Sequence, residues 1–584
     1  MANAEEQTML KKIRKFFGSL FAVIGFLVIT GVIIGYFKFT STLQGDPESD
    51  PMSDNVVLQL DVGGLKMIDF NLPSSLLAQL EKYRQQSLIE LIDLITEATQ
   101  DSRVKAINLT LSGTNFSTAQ AEELRSALAK FKESGKKIYT FAYGFGDGSN
   151  GTAAYYLASI SDKIFMQPHG TVSILGASLE SYFLKDLLDD FNITVQAARR
   201  ENYKGVIDQM TRADFTPEVK ENLSHLVQSV VETVQKSTAS SRKIELTTFV
   251  SLMNTAPHGD QSAVKEKLLD ELIYRDQIRE KIGAEIEGKP SFVTAKGYSS
   301  NTKRPIAKNK IGVIFLDSDV TASGVTALNI NDPYSPDALD KAFELATKED
   351  GVKVILFRVN TPGGAVSGAE TIYRAVKRTI DKGIPVIISM GTVAASAGYY
   401  MSAPATKIFA NKTTITGSIG VAMAKPSIDK ATALYGITWD RVTVGDNANM
   451  WSMTKEFNEN ELKFIDENID QFYHHFVSTV ADGRKMPVGK ALSIAGGRVW
   501  SGLDAKQNGL VDEIGGFFEA FEEAKKIAAV KEDEAPNVVI FNKVNPGIPL
   551  LFSLLGDEAK FQLNTLFLKH LQTGLQAKLN YKIQ

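Results

Sequence analysis

Segments of this chain recur at a fixed distance. Tyr155-Tyr156 returns as Tyr399-Tyr400, Lys163-Ile164-Phe165 as Lys407-Ile408-Phe409, and Phe191-Asn-Ile-Thr194 as Tyr435-Gly-Ile-Thr438, each 244 residues on. Asp101-Ser-Arg-Val-Lys-Ala-Ile107 resembles Asp350-Gly-Val-Lys-Val-Ile355, and Leu269-Asp270-Glu271 resembles Val511-Asp512-Glu513. A chain of 584 residues is too long for one core, and an internal period of this length calls for the same domain built twice. Within the first copy, apolar runs at 56–61, 104–109 and 137–142 predict strands, and helical patterns at 76–99 and 119–134 lie between them. That alternation is the βαβ signature of a parallel sheet. The expected fold is therefore α/β, with tandem domains at 55–298 and 311–535 and a polar joint holding Pro305 at 299–310. Long amphipathic helices are expected at 216–244 and 458–484.

The ends read differently. Residues 16–37 carry no charge and would span about 33 Å as a helix, enough for a hydrocarbon core of about 30 Å. Lys11, Lys12, Arg14 and Lys15 precede this run, which places residues 1–15 in the cytoplasm and the bulk of the chain across the membrane. The run exceeds the usual length of a signal-peptide core, so an uncleaved anchor is expected, followed by a linker at 38–54. The extension at 536–584 is apolar and periodic over 548–579. It is interrupted by Asp557, Glu558 and Lys560, and packing on the second domain or on a neighbouring subunit is expected. A net charge of −4 argues against nucleic acid as a main partner. The absence of cysteine excludes disulfides, thiolate metal sites and a cysteine nucleophile.

Chemistry concentrates in the second copy. A buried-strand pattern, Ile384-Pro-Val-Ile-Ile-Ser389, runs through Met390-Gly-Thr-Val-Ala-Ala-Ser396-Ala-Gly398 into a helix, which places Ser396 on a strand-to-helix turn among small residues. About thirty residues earlier a strand at 352–359 ends in Asn360-Thr-Pro-Gly-Gly364, where the glycine pair can aim backbone N–H groups at an oxygen. A hydroxyl beside free N–H donors is the minimum kit for acyl transfer, although most serines at such turns only cap a helix. In the first copy Ser396 maps onto Thr152, and the Pro-Gly-Gly turn maps onto Ser112-Gly113-Thr114. None of the six histidines (His169, His225, His258, His474, His475 and His570) stands out as a base by its neighbours. A histidine base stays open; a lysine base, brought by burial to a pKa of about 7–8, is the variant to which this points. Lys204, in Arg199-Arg-Glu-Asn-Tyr-Lys-Gly205, suits that role, and its counterpart is Ala448, so each copy would hold one half of a pair.

At these residues the chain resembles the long, tandem-domain signal peptide peptidases of the membrane-bound bacterial protease family S49. The resemblance rests on Asn360-Thr-Pro-Gly-Gly364, Ala394-Ala-Ser-Ala-Gly-Tyr399, Thr416-Gly-Ser-Ile-Gly420, Asn202-Tyr-Lys204 and Gly497-Arg-Val-Trp-Ser-Gly-Leu-Asp-Ala505 with Gly509-Leu-Val-Asp512, and it covers nearly the whole chain. It implies tandem ClpP/crotonase-like domains after an N-terminal transmembrane helix. It also implies a Ser-Lys dyad, with Ser396 as nucleophile and Lys204 as general base, Ser418 orienting the lysine, and oxyanion donors at Gly364 and Ala397. Further implications are degradation of signal-peptide remnants and other apolar peptides, no cofactor or metal, a homotetramer, and catalytic domains on the periplasmic side of the bacterial inner membrane. The chain departs from the family pattern at Ala397, where Gly is usual, at Thr361, where Ser is usual, and at Gly205, where Ser or Ala is usual; no reacting group is lost. The readings from other classes are a crotonase-like acyl-CoA enzyme and a catalytically silent membrane scaffold.

Overall fold

In a computed structural model, the structure describes residues 50–70, 85–299, 304–324 and 332–542. The expected membrane span at 16–37 and the apolar stretch at 548–579 lie outside these residues. Among the described residues no helix is long and apolar enough to cross a membrane.

The first copy is built on a parallel six-stranded sheet, in the order Glu271–Leu272, Lys163–Met166, Lys137–Ala142, Val104–Leu111, Val56–Val62, Ser291–Thr294. Its strands are apolar on both faces because helices cover both. Val56, Val57 and Leu58 are consecutive and all fully buried. The second copy repeats the arrangement, with Val352–Thr361 at its centre between Ile306–Asp317 and Val386–Ala395. Helix starts follow local chemistry. Thr216 caps Pro217–Arg242, with proline in the first turn, and Asn458 and Glu461 form a capping box at the start of Glu459–Gly483.

Two boundaries differ from the sequence expectation. The helix expected over 76–99 occupies Leu88–Gln100, because 85–87 pair as a strand with Lys66–Ile68 and the Ser87 hydroxyl then caps the Glu90 N–H at 3.2 Å; the stretch 76–84 lies outside the described residues. The second sheet also reaches past both ends of 311–535. Strand Ile306–Asp317 begins inside the expected joint, and Ala535–Ile540, expected in the extension, pairs parallel with it. The Val538-Val-Ile540 run supplies an edge strand that periodicity alone does not assign to either neighbour.

Many contacts join the copies, among them Glu122 with the N–H groups of Lys412 and Thr413 and Asn222 with the N–H of Val499, and two bear directly on the site. Arg358, on the central strand of the second sheet, is fully buried and donates to Asp69 (2.7 Å) and Glu123 (2.7 Å) of the first copy. Those carboxylates hold its guanidinium in the charged form against the desolvation of burial. At the other contact, Thr194–Arg199 of the first copy pairs antiparallel with Ala422–Ser427 of the second. This pairing positions the site.

Candidate active site

Ser396 ends the strand Val386–Ala395 and opens the helix Ala397–Ser402. Its backbone sits at φ 54 and ψ −117, a conformation a non-glycine residue adopts only where the surroundings impose it. The surroundings do impose it. The Ser396 N–H donates to Gly417 O at 2.9 Å, and the buried helix behind it packs against the Thr361 loop. A Cβ on Gly398 would lie 2.7 Å from the Thr361 methyl, which is why small residues follow the serine.

The Pro362–Gly364 loop lies directly against this turn. A side chain on Gly363 (φ 127) would meet the Ser396 Cβ at 2.8 Å, and one on Gly364 (φ 145) would meet Val320 O at 2.1 Å, so both positions require glycine. Among the described residues, the N–H groups of Gly364 and Ala397 donate to no acceptor of the chain, whereas the neighbouring Gly363 N–H is taken by Thr361 Oγ1.

Lys204 arrives from the first copy. The strand Thr194–Arg199 continues its pairing through Arg200, whose N–H donates to Val421 O and whose guanidinium is tied to Asp466 and Asp470. Tyr203 N then donates to Gly496 O, and the Lys204 side chain turns into the seam. Its Nζ lies 3.0 Å from Ser396 Oγ, 2.9 Å from Ser418 Oγ and 2.9 Å from Ser418 O. Burial alone, with no carboxylate beside it, lowers the Lys204 pKa from 10.5 to about 8. The structure thus brings together Ser396, Lys204, Ser418, Gly364 and Ala397, all five residues singled out in the sequence.

Among the described residues no histidine bonds Ser396, although His475 lies on the wall of the cavity beside it; His570 lies outside the described residues. His475 meets Tyr400 OH at 2.9 Å, His258 meets Leu252 O, and His225 and His474 face Asp504 and Asp470 on the surface. In the first copy the Thr152 hydroxyl accepts from Gly176 N–H at 3.0 Å. Among the described residues no group of His, Asp and Glu is arranged to hold a metal ion.

Sequence reasoning missed the seat of the lysine. A Cβ on Gly497 (φ 83) would fall 2.5 Å from Lys204 N, and one on Gly420 would fall 3.3 Å from Lys204 Cδ. Both glycines stand in the motifs quoted above, but only the fold shows that they make room for this side chain. A cavity of about 630 Å³ opens beside Ser396, walled by Phe183 and Phe215 of the first copy and by Val366, Phe472 and Phe476 of the second.

A buried amine on a serine hydroxyl, beside unpaired N–H groups and an apolar cavity, defines a hydrolase site of the serine-peptidase type. The model of peptidase family S49 matches residues 130–287 and 378–531, more than half of the chain and once in each copy, and the chain belongs to that family. It is similar to Protease 4 of Salmonella typhi (29% identity, covering 78% of this chain and 74% of that one) and to Protease 4 of Haemophilus influenzae (27%, covering 82% and 79%). Among solved structures it is similar to a ClpP1 mutant from Listeria monocytogenes, at 14% identity and a TM-score of 0.24, over 36% of this chain and 93% of that one. The protein is a serine protease of family S49 built from two tandem domains.

Proposed function

We propose that this protein cleaves signal-peptide remnants and other extended apolar peptides by a Ser-Lys dyad shared between its two copies. The observation that carries this is the 3.0 Å contact of Lys204 Nζ with Ser396 Oγ, made in a site buried enough to lower the lysine pKa to about 8. Neutral Lys204 takes the Ser396 proton as Oγ bonds to the scissile carbonyl carbon, and the carbonyl oxygen becomes an oxyanion. The N–H groups of Gly364 and Ala397 hold that oxyanion, a contribution of about 2.7–4 kcal/mol per donor in comparable sites. The C–N bond then breaks, the ammonium of Lys204 gives its proton to the leaving amine, and the acyl group stays on Oγ. Water, deprotonated by the same amine, attacks the ester, and the proton returns to Ser396 as the acid leaves. Ser418 accepts from Nζ through both its hydroxyl and its carbonyl, which fixes the amine toward Ser396.

The phenylalanine-walled cavity suits the apolar core of a signal peptide. On this reading residues 16–37 anchor the chain in the bacterial inner membrane, the two domains face the periplasm, and copies of the chain assemble as a homo-oligomer. The test is cleavage of a synthetic signal peptide by the detergent-purified full chain, with Ser396→Ala and Lys204→Ala alongside. Loss of cleavage in both variants supports the dyad. Retention in Ser396→Ala removes the nucleophile assignment, and a wild-type protein that cuts nothing returns the chain to the scaffold reading.

A further inference from the structure

The strand that ends at Ser396 is irregular at one place, and a side chain of the neighbouring strand fills the irregularity. Val359 faces Met390 and Thr361 faces Ala394, so Asn360 alone stands opposite Gly391, Thr392 and Val393. Such a bulge bends its strand and re-aims the residues beyond it. Here the strand also changes partner. Before the bulge, 387–390 pair with Lys407–Ala410; after it, 393–395 pair with Ile415–Gly417, the strand that leads into Ser418. In the first copy the strands Val104–Leu111 and Lys137–Ala142 keep one register over all their paired residues, and that copy has Thr152 in place of the serine.

Asn360 bridges the bulge with its side chain. Its Oδ1 accepts the Val393 N–H at 3.1 Å, and its Nδ2 donates to Asp317 Oδ1 at 2.7 Å. These two partners allow the amide one orientation, since a backbone N–H only donates and an ionised carboxylate only accepts. Burial and the Asp69 carboxylate push the Asp317 pKa up to about 6, so Asp317 is ionised wherever Lys204 is neutral. A Cβ on Gly391 would lie 2.9 Å from the Asn360 side chain, so the bulge needs glycine there to admit the amide. Three residues past Asp317, Val320 N–H donates to Gly363 O and Val320 O accepts the Ala365 N–H, both at 2.8 Å. The segment that orients Asn360 therefore also holds the loop that carries the Gly364 N–H.

We propose that Asn360, oriented by Asp317, is a positioning residue for the reaction: it fixes the bulge in the shape that sets Ser396 Oγ against Lys204 Nζ and beside the N–H groups of Gly364 and Ala397. It touches no reacting atom. Asn360 acts through Val393, three residues before the nucleophile, and Asp317 acts through Asn360. From the opposite side of the strand, the Thr414 and Thr416 hydroxyls donate to Gly391 O at 2.7 Å and to Ala394 O at 2.6 Å. Loss of the Asn360 amide therefore leaves the strand in its sheet and frees only the bulge. A displacement of about 1 Å there is enough to cost about a hundredfold in rate.

The inference rests on the roles proposed above for Ser396 and Lys204, and the experiment separates the two. The detergent-purified full chain is assayed on a synthetic signal peptide at about pH 9, where Lys204 is mostly neutral. Asn360→Leu, close in size but without polar atoms, should lower kcat by about tenfold or more and leave KM within about twofold. Asn360→Asp sets a second carboxylate against Asp317 and should lower kcat in the same way. Asn360→Asp combined with Asp317→Asn exchanges donor and acceptor and still leaves an acceptor for the Val393 N–H. The pair should recover most of the lost kcat, which a damaged fold would not do. An Asn360→Leu chain with the wild-type kcat, or with its whole loss in KM, overturns the positioning role and leaves the dyad standing. A loss in Asn360→Asp that the exchange does not repair overturns the part given to Asp317. Cleavage that survives Ser396→Ala, or a wild-type protein that cuts nothing, overturns both readings, since the bulge would then aim no nucleophile.

Discussion

Lys204 is a buried amine without a counter-ion, and that fixes how rate and stability must respond to pH. With a pKa of about 8, about one molecule in ten has the neutral lysine at pH 7 and about one in a hundred at pH 6. Cleavage under kcat/KM conditions should therefore fall about tenfold per pH unit below 8 and level off above it. Lys204→Arg, which cannot lose its proton in this range, should be inactive throughout. Folding carries the opposite side of the same shift. Between about pH 8 and 10.5 the unfolded chain holds the proton and the folded chain does not, so stability climbs with pH across that window. Below about pH 8 the folded state bears the whole cost, about 3 kcal/mol for this difference in pKa. Lys204→Met removes it but also removes the bonds to Ser396 and Ser418, worth about 1 kcal/mol each. The variant should thus be about as stable as wild type at pH 7, and about 3 kcal/mol less stable than wild type at pH 10.5. The assays are initial rates on a quenched signal-peptide substrate from pH 6 to 10 and thermal unfolding of both proteins at the two pH values. A rate midpoint near 6.5 would mean that a histidine is the base. A stability difference between Lys204→Met and wild type that is the same at pH 7 and pH 10.5 would refute the claim that the amine is buried at a cost.

Three further outcomes follow from the same contacts. Gly497→Ala puts a methyl 2.5 Å from Lys204 N at φ 83, so it should cost at least about tenfold in kcat and about 2 kcal/mol of stability, read by rate and by chemical unfolding. Ser418→Ala leaves the carbonyl acceptor but frees the amine to rotate, so kcat should fall about tenfold while KM holds; an unchanged kcat would show that the carbonyl suffices. Arg358→Ala strands Asp69 and Glu123 without their cation and should destabilise by about 3–5 kcal/mol, whereas Arg358→Met together with Asp69→Leu and Glu123→Gln, which keeps an acceptor for the Asn411 amide and the Phe517 N–H, should recover part of that loss, as measured in urea.

The parts that could be read from the sequence were those that a local pattern or the repeat makes visible. Ser396 stood out because a buried strand breaks into small residues before a helix, and the fold places it at that break. Lys204 is one lysine among many by its own neighbours, and it is reached through the want of a lysine base and through the Asn202-Tyr-Lys204 motif of the family resemblance. Ser418 and the two N–H donors came from the family resemblance. Nothing in the sequence marks Asp69 and Glu123, and only the packing of one copy on the other shows them buried against Arg358. The pairing of Thr194–Arg199 with Ala422–Ser427 joins residues more than two hundred positions apart, and neither strand names its partner. The end of the helix-forming run at Ser87 was hidden for a related reason: the pairing of 85–87 with Lys66–Ile68 overrides a helical period.

Duplication gives the two halves of the dyad different hosts, and the fold shows what that requires. The second copy has the serine but Ala448 in place of the lysine; the first has the lysine but Thr152 in place of the serine. Neither copy holds both, so the reactive distance of 3.0 Å is a property of the seam and not of either domain. The seam is fixed at several separated points, among them the strand pair beside Lys204, the Arg358 cluster, the Glu122 contacts with Lys412 and Thr413, and the Asn222 contacts with Val499. Several anchors resist a rocking of one domain on the other that a single anchor would allow. A shift of about 1 Å at a reacting pair is enough to cost about a hundredfold in rate. Substitutions that loosen the Arg358 cluster should accordingly lower kcat at denaturant concentrations where both domains are still folded, because the geometry between the copies fails before either core does.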